Sequence, residues 1–565
     1  MRRGTLYRLA TAVVVGSAVA TAGASPSPVA SNASGGLSVA SLTRDGRTRA
    51  SCAPAVEETF AMAPTPLHII NEWLATDAAA IALRNASEAN LTDCHPGGDE
   101  LLPCYNAPAI GSGAASLGHG WYVGLTDRGP NQDCEDLVDS GRHPEAEGKK
   151  GKGFPVPAFS PSLIFYKLHR RDGGRQGSVR FAKAVPLTGS NGQRVSGLPN
   201  TDRDDTPYGT NCAGNPLPYD VGGVDPEDVA PIPHTRLLVV VEEYAPSVMV
   251  VSAVSGTIVG RYVPKSVAPG LKGAPYPVIP SLPSVFADRR KNRGFESLSV
   301  APSGTHLYAV LQSPLGDKKA PGLKTSTLVR GLKMSIHVKS RDAATLTYES
   351  QFALEASGPA AWTEAKKQPV KATKIKLSAA TAIGDHSFVL LERAPEQVRL
   401  FRVDVAADTT NLDDTAYAAN TSLEAETGGT RRATALNVTP AQKRLLWDSA
   451  ATAGWAEAGA VEQQEGVVVD HKGKRVLLVS DNDFGIEDGS TVVTAVTLGR
   501  PLDGCTACPS DVSGAAGVNV TPGSCPRAPP FKRTKSAINV KKVVGKESCW
   551  GVFDCMARRK EDDDD

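Results

Sequence analysis

The residues in this sequence best suited to chemistry are carboxylates that stand at the ends of strand-like runs. Glu227, Glu243, Glu296, Glu392, Glu465 and Asp481 form one acidic set, and Asp483 follows closely after the last. Hard carboxylate oxygens hold hard divalent cations, and such an ion can hold a phosphate and polarise water. Without a metal, the same groups could exchange protons with a substrate. They also have a purely structural use, as acceptors for backbone N–H groups between neighbouring sheets. Arginines stand near these acids: Arg128 beside Asp127, Arg293 before Glu296, and Arg393 after Glu392. A guanidinium can clamp phosphate through its planar fork, and an ion pair with the adjacent acid is the plainer alternative. Asp127, Arg128, Glu227, Arg293, Glu296 and Glu465 are the candidate catalytic groups. The candidate metal ligands are Glu227, Glu243, Glu296, Glu392, Glu465, Asp481 and Asp483.

The stretch Asp481-Asn482-Asp483-Phe484-Gly485 alternates oxygen donors and ends in a turn glycine, like the start of a calcium loop. An EF-hand places a bidentate acid at loop position 12. Val492 stands there instead, although Glu487 and Asp488 could substitute. An Asx-turn explains the same residues equally well.

Spacing indicates how these acids could be positioned. Three segments share one frame: Glu227 to Glu243, Glu296 to Gln312, and Glu465 to Asp481. Each begins with Glu, runs through a short strand, a turn and a second strand, and ends on a polar residue about 16 positions later. In a hairpin, the start of the first strand lies beside the end of the second. Both polar residues of each segment therefore sit at one end of one hairpin. Radial repetition of such hairpins gathers those ends around one mouth of a central channel.

Other strand-like runs are Trp121 to Thr126, Leu237 to Val241, Ser247 to Ser252, Thr305 to Leu311, Ser387 to Leu391 and Arg475 to Ser480. They are short, β-branched or aromatic, and bounded by turn residues. With 54 Gly and 41 Pro, turn-rich β structure is favoured over long helices. The expected fold is all-β: a β-propeller of about six or seven blades at roughly 45–60 residues each, over residues 111–500. A sandwich is the alternative.

The flanks read differently. Residues 1–24 have basic Arg2, Arg3 and Arg8, an apolar run and a small-x-small end at Ala22-Gly23-Ala24. This is the pattern of a cleaved export signal, so a secreted protein is expected, periplasmic in a bacterium. Residues 25–51 read as a flexible leader, 52–110 as a Cys-containing N-terminal extension with a helix-like stretch from Leu67 to Leu83. Residues 501–556 read as a Cys-rich C-terminal extension and 557–565 as a charged, disordered tail. The 10 Cys are read as disulfides stapling the extensions. Cys505 and Cys508 have no second pair at zinc-finger spacing. Sequons at Asn32, Asn85, Asn90, Asn420, Asn437 and Asn519 mark surface loops if the host glycosylates them.

The net charge is +1, from 61 basic and 60 acidic residues. That gives no field to attract nucleic acid or an anionic membrane. No later segment is long and apolar enough for a membrane span, and a monomer is expected. There is no G-x-S-x-G elbow, HExxH pair or P-loop. His119 and His471 lie near motifs and read as turn or surface residues.

Nine short motifs occur in the order found in a known family. Among them are Leu125-Thr126-Asp127-Arg128-Gly129-Pro130-Asn131, Asp225-Pro226-Glu227-Asp228-Val229 and Glu243-Tyr244-Ala245-Pro246-Ser247. Asn292-Arg293-Gly294-Phe295-Glu296-Ser297-Leu298, Leu391-Glu392-Arg393, Glu465-Gly466 and Ser480-Asp481-Asn482-Asp483 follow. The sequence resembles the phytase-like family, named for the esterase-like activity of phytase, over roughly Gly111 to Gly489. Asp228 and Ser297 stand where that family usually has Gly, and Ala245 replaces a common Gly. The resemblance implies a small-molecule phosphoester or ester substrate, phytate included, and Ca²⁺ as the cation the acids would hold. A non-catalytic propeller that binds a ligand or protein partner is the competing reading, because a shared fold does not fix function.

Overall fold

Strands form where the sequence is β-branched and aromatic, and these runs are buried on both faces. The computed structural model describes residues 54–89, 103–139, 143–171, 175–362, 369–428, 432–455, 463–469, 475–486, 489–498 and 502. The expected signal, leader and charged tail, the C-terminal Cys-rich segment apart from Leu502, and Glu487, Asp488 and His471 lie outside the described residues.

Twenty strands form five four-stranded antiparallel units. The first strand, β1 (Ala55–Met62), is set aside for the moment. The first unit is β2 (Ala114–Gly118), β3 (Trp121–Leu125), β4 (Ser162–Arg170) and β5 (Gln176–Pro186). The second is β6 (Pro226–Pro231), β7 (Leu237–Glu242), β8 (Ser247–Ser252) and β9 (Ile258–Pro264), with a further edge strand at Val278–Leu282. The third is β10 (Phe295–Val300), β11 (His306–Leu311), β12 (Leu328–Ser340) and β13 (Ala343–Glu355). The fourth is β14 (Lys376–Ala382), β15 (Ser387–Ala394), β16 (Gln397–Asp404) and β17 (Gln442–Asp448). The fifth is β18 (Gln464–Val469), β19 (Arg475–Ser480), β20 (Val492–Thr497) and, as its outermost strand, β1.

The first strands of the units contact one another in cyclic order: β2 with β6, β6 with β10, β10 with β14, β14 with β18, and β18 with β2. This closed ring is a β-propeller. Among the described residues it has five blades, fewer than the six or seven that chain length led us to expect. The difference lies in long insertions: residues 187–225 link the first two blades, and 405–441 separate β16 from β17. The long β12–β13 hairpin takes up further chain.

The segment expected to be a separate N-terminal extension supplies β1. This strand pairs antiparallel with β20 and parallel with β5, from Thr59↔Gln176 to Met62↔Val179. The last blade is thus completed by the beginning of the chain, which ties the ring shut. The helix-like stretch after β1 forms a helical turn at Leu67–Ile70, a 3₁₀ turn at Glu72–Ala75 and a helix at Ala78–Ala89. Cys134 and Cys212 form a disulfide that joins the start of a short helix, Cys134–Asp139, to a 3₁₀ turn, Thr210–Cys212. Cys104 is also disulfide-bonded. No helix of the described residues is long and apolar enough to cross a membrane.

Blade faces pack on one another through apolar side chains. Val239, Val241, Leu298, Leu307, Leu332 and Leu390 belong to one such layer, between the second, third and fourth blades. The inner strands face a different problem, since their edges at the ring centre present unpaired N–H groups. Asp228 solves it there. One of its oxygens accepts from Leu298 N–H at 2.8 Å and Ala380 N–H at 3.1 Å, and the other from Val229 N–H at 2.8 Å. A glycine at this position could not join three inner strands in this way.

Candidate functional site

A recurring backbone irregularity positions the acids. In β6, Pro226 pairs with Glu242 and Asp228 with Val241, which leaves Glu227 as the extra residue of a β-bulge. In β10 the extra residue is Glu296, in β14 Ser378, and in β18 Glu465. A bulge re-aims one side chain out of the ladder. One residue past the pair that borders each bulge, the second strands carry Glu243, Gln312, Arg393 and Asp481, of which Arg393 is still in the ladder, opposite Lys376. These positions meet at one end of the ring. Asp127 and Arg128 join them from the loop after β3.

Asp225, Glu227 and Glu243 each place a carboxylate oxygen within 4.8 Å of the other two, and all three are buried. Arg128 pairs with Asp225 at 3.0 Å and donates its backbone N–H to the same carboxylate at 3.2 Å. The carboxylates of Glu227 and Glu243 accept no hydrogen bond from the described residues. Burial, then the charges of Glu296, Asp225 and Glu243, raise the Glu227 carboxyl far above its ordinary range. Burial pushes the Asp225 carboxyl up to about 7, against the pull of Arg128. Crowded, desolvated carboxylates must share protons or gain a cation. The donors are all hard oxygens, and among the described residues two of the three carboxylates accept no hydrogen bond. This set fits a hard divalent cation, and the triad could bind a metal.

Glu296 lies beside the triad. Gln312 donates to its Oε1, and its buried Oε2 has no hydrogen-bond partner. Burial and the Glu243 charge raise its carboxyl to about 8. Asp127 accepts from Gly129 N–H at 2.9 Å, and burial with the Asp481 charge raises its carboxyl strongly. Asp481 accepts from Ser112 Oγ at 3.0 Å and from Asp483 N–H at 2.8 Å.

The family described as "esterase-like activity of phytase" matches residues 112–484, well over half of the chain. The chain belongs to the phytase-like family. Membership implies a hydrolase of the esterase or phosphatase kind. No protein of curated function matches the sequence.

Among solved structures, this phytase-like chain is similar to the Dos1 propeller at 8% identity, covering 60% of this chain and 64% of that one, with a TM-score of 0.21. The periplasmic gluconolactonase PpgL of Pseudomonas aeruginosa is 10% identical, over 72% of this chain and 91% of that one, with a TM-score of 0.26. Regucalcin of Agrobacterium tumefaciens, a calcium-binding protein, is 8% identical over 51% and 80%, with a TM-score of 0.20.

Two candidates from the sequence do not join the phytase-like cluster. Glu392 pairs with Lys443 and accepts from Ser357 N–H at 3.1 Å. Its place in the ladder matches Glu242 of the second blade, not Glu243, so its side chain leaves the ring centre. Asp483 stands in the turn after Asp481, half-buried, with a positive φ of 45°. Glu465 does lie at the centre, but Arg393 pairs with it and also bonds Ser378 Oγ at 2.8 Å.

Two members of the cluster escaped the sequence reading. Asp225 precedes its strand and is no part of the repeated frame, so spacing alone could not select it. Lys376 at the start of β14 is surrounded by Arg393, Arg293, Glu296 and Glu243, and burial with the two arginines lowers it to about 7. The fourth blade thus brings Lys376, Ser378 and Arg393 to a ring to which other blades bring acids. The site is a mixed one, in which carboxylates and cations stand together.

Proposed function

We propose that this protein is an exported, cation-assisted hydrolase of phosphomonoesters, acting at the buried end of the propeller ring. The observation that carries the reading is the Asp225–Glu227–Glu243 triad beside a set of arginines. Cations alone would describe an anion-binding site, and acids alone a structural metal site. Their juxtaposition suits a substrate that is negatively charged and must be activated. Asp225, Glu227 and Glu243 would hold the ion, with Ca²⁺ the best match to all-oxygen ligands. When bound, the cation would polarise the phosphoryl oxygens and lower the pKa of water.

The chain's own groups supply the rest. Arg293 has a buried Nη1 with no hydrogen-bond partner and would orient a phosphoryl oxygen. Glu296, with its carboxyl raised to about 8, would carry a proton at neutral pH and hand it to the leaving oxygen from its unpartnered Oε2. Arg128, Asp127, Arg393 and Glu465 hold these groups in place. Export is supported by the Cys134–Cys212 disulfide, a bond typical of oxidising compartments.

The test is hydrolysis of nitrophenyl phosphate and phytate by purified protein, with Ca²⁺ and with chelator. Turnover that needs the cation and is lost in Glu296→Gln supports the reading. No turnover above Glu296→Gln in any condition would remove it and favour a non-catalytic, ligand-binding propeller.

A further inference from the structure

Beside the acidic end of the ring lies a cavity of about 450 Å³, within the ~300–1,000 Å³ range of small-molecule sites. Its walls come from three loops: the segment before β10, the turn after β11, and the approach to β14. Six of its lining side chains are cationic. Arg289 and Lys291 are already paired, with Asp204 and with Asp205. Among the described residues, Arg290, Arg293, Lys318 and Lys374 are in no ion pair, and Asp288 and Asp317 are the acids on the walls.

Arg290 is held inside the protein, and Arg293 beside it is half-buried. Among the described residues, the buried Arg290 bonds only backbone carbonyls, of Gly316 at 3.4 Å and Leu323 at 2.5 Å. Burial and the nearby Arg293 charge lower it to about 10. The guanidinium of Arg293 makes one long bond, 3.5 Å to Thr373 O, and its Nη1 is buried and unpartnered. Packing a buried and a half-buried guanidinium group side by side costs free energy unless an anion joins them. Exposed Lys318 and Lys374 add two donors at the rim.

We infer that this cavity is a second anion site, which takes a phosphate group other than the one that meets the acid triad. Arg293 connects the two places, since it lines the cavity and also interacts with Glu243 and Glu296. A ligand lying across Arg293 would reach both, so the favoured substrate carries at least two phosphate groups. That statement about substrate rests on the hydrolase reading above, whereas the anion affinity of the cavity does not.

Pyrophosphate serves as the probe, titrated calorimetrically into protein freed of metal on a chelating resin, so that no cation at the triad can recruit it. Lys318→Gln with Lys374→Gln removes two rim donors without touching the core. Lys319→Gln with Lys324→Gln is the control, removing equal charge from exposed positions outside the cavity. The expected result is binding to the wild type, weakened about tenfold or more by the cavity pair and less than about twofold by the control pair. Equal weakening by both pairs, or no binding to the wild type, would overturn the inference. Cavity-dependent binding without phosphomonoester hydrolysis keeps this site and removes the proposed reaction. Hydrolysis without cavity-dependent binding does the reverse.

Discussion

Glu227 and Glu296 occupy the same bulge in adjacent blades, and each is the one residue its inner strand leaves out of the ladder. The Glu296 charge is the largest carboxylate influence on Glu227. Residues far apart in the chain are thus coupled because two hairpins fan around one axis. Their mutual repulsion, in a desolvated place, sets how the protein responds to protons and cations.

The first consequence concerns pH. In the unfolded chain, carboxyls lose their protons near pH 4. In the folded chain, Asp225 keeps its proton to about 7 and Glu296 to about 8. Between those limits the folded state binds more protons, so stability is fully present below pH 4 and is lost as pH rises towards 8. The melting temperature of metal-free protein should fall from pH 5 to pH 8. The fall should be shallower in Glu296→Gln. A wild-type melting temperature that rises over this range contradicts the crowding described.

Asp228 sits next to Glu227 in the chain but performs different work. Replacing it by Ala removes the acceptor for Leu298 and Ala380 N–H groups. Leaving buried donors unpaired costs about 3 kcal/mol. Chemical denaturation should show that loss without any change in the protein's affinity for Ca²⁺. An unaltered denaturation midpoint would mean the three-strand tie is not formed.

Glu392 offers the converse test. Glu392→Gln leaves the half-buried Lys443 ammonium without its carboxylate, which should lower stability by about 2 kcal/mol, again with cation affinity retained. Loss of cation binding in this variant would place Glu392 in the site after all.

The Cys134–Cys212 bond closes a loop spanning 78 positions. By chain entropy, its removal should cost about 4 kcal/mol. Cys134→Ala with Cys212→Ala should therefore melt well below the wild type under non-reducing conditions. Equal melting temperatures would show that the bridge contributes nothing to stability.

Much of the architecture could be read directly from residue types. Leu237–Glu242 and Arg475–Ser480 form strands where β-branched runs foretold them, and the Glu227, Glu296 and Glu465 frame marked the ring end. Three features could not be read this way. Blade number was hidden because β1 is donated from the far end of the chain and because long insertions resemble extra blades. Glu392 stood out in the sequence because the fourth blade has Ser378 at its bulge and its hairpin is one residue shorter than the others, which puts Arg393 at the position that Glu243 and Asp481 hold elsewhere. Asp225 and Lys376 were missed because tertiary closure, not periodicity, brings them to the ring.

Asp225, Glu227 and Glu243 are placed so that they could bind a divalent cation. Calorimetric titration of Ca²⁺ into chelator-stripped protein tests it directly. One saturable site is predicted in the wild type, at least about tenfold weaker in Glu227→Gln with Glu243→Gln and intact in Glu392→Gln. No binding to the wild type, or equal binding by all three proteins, would contradict the claim.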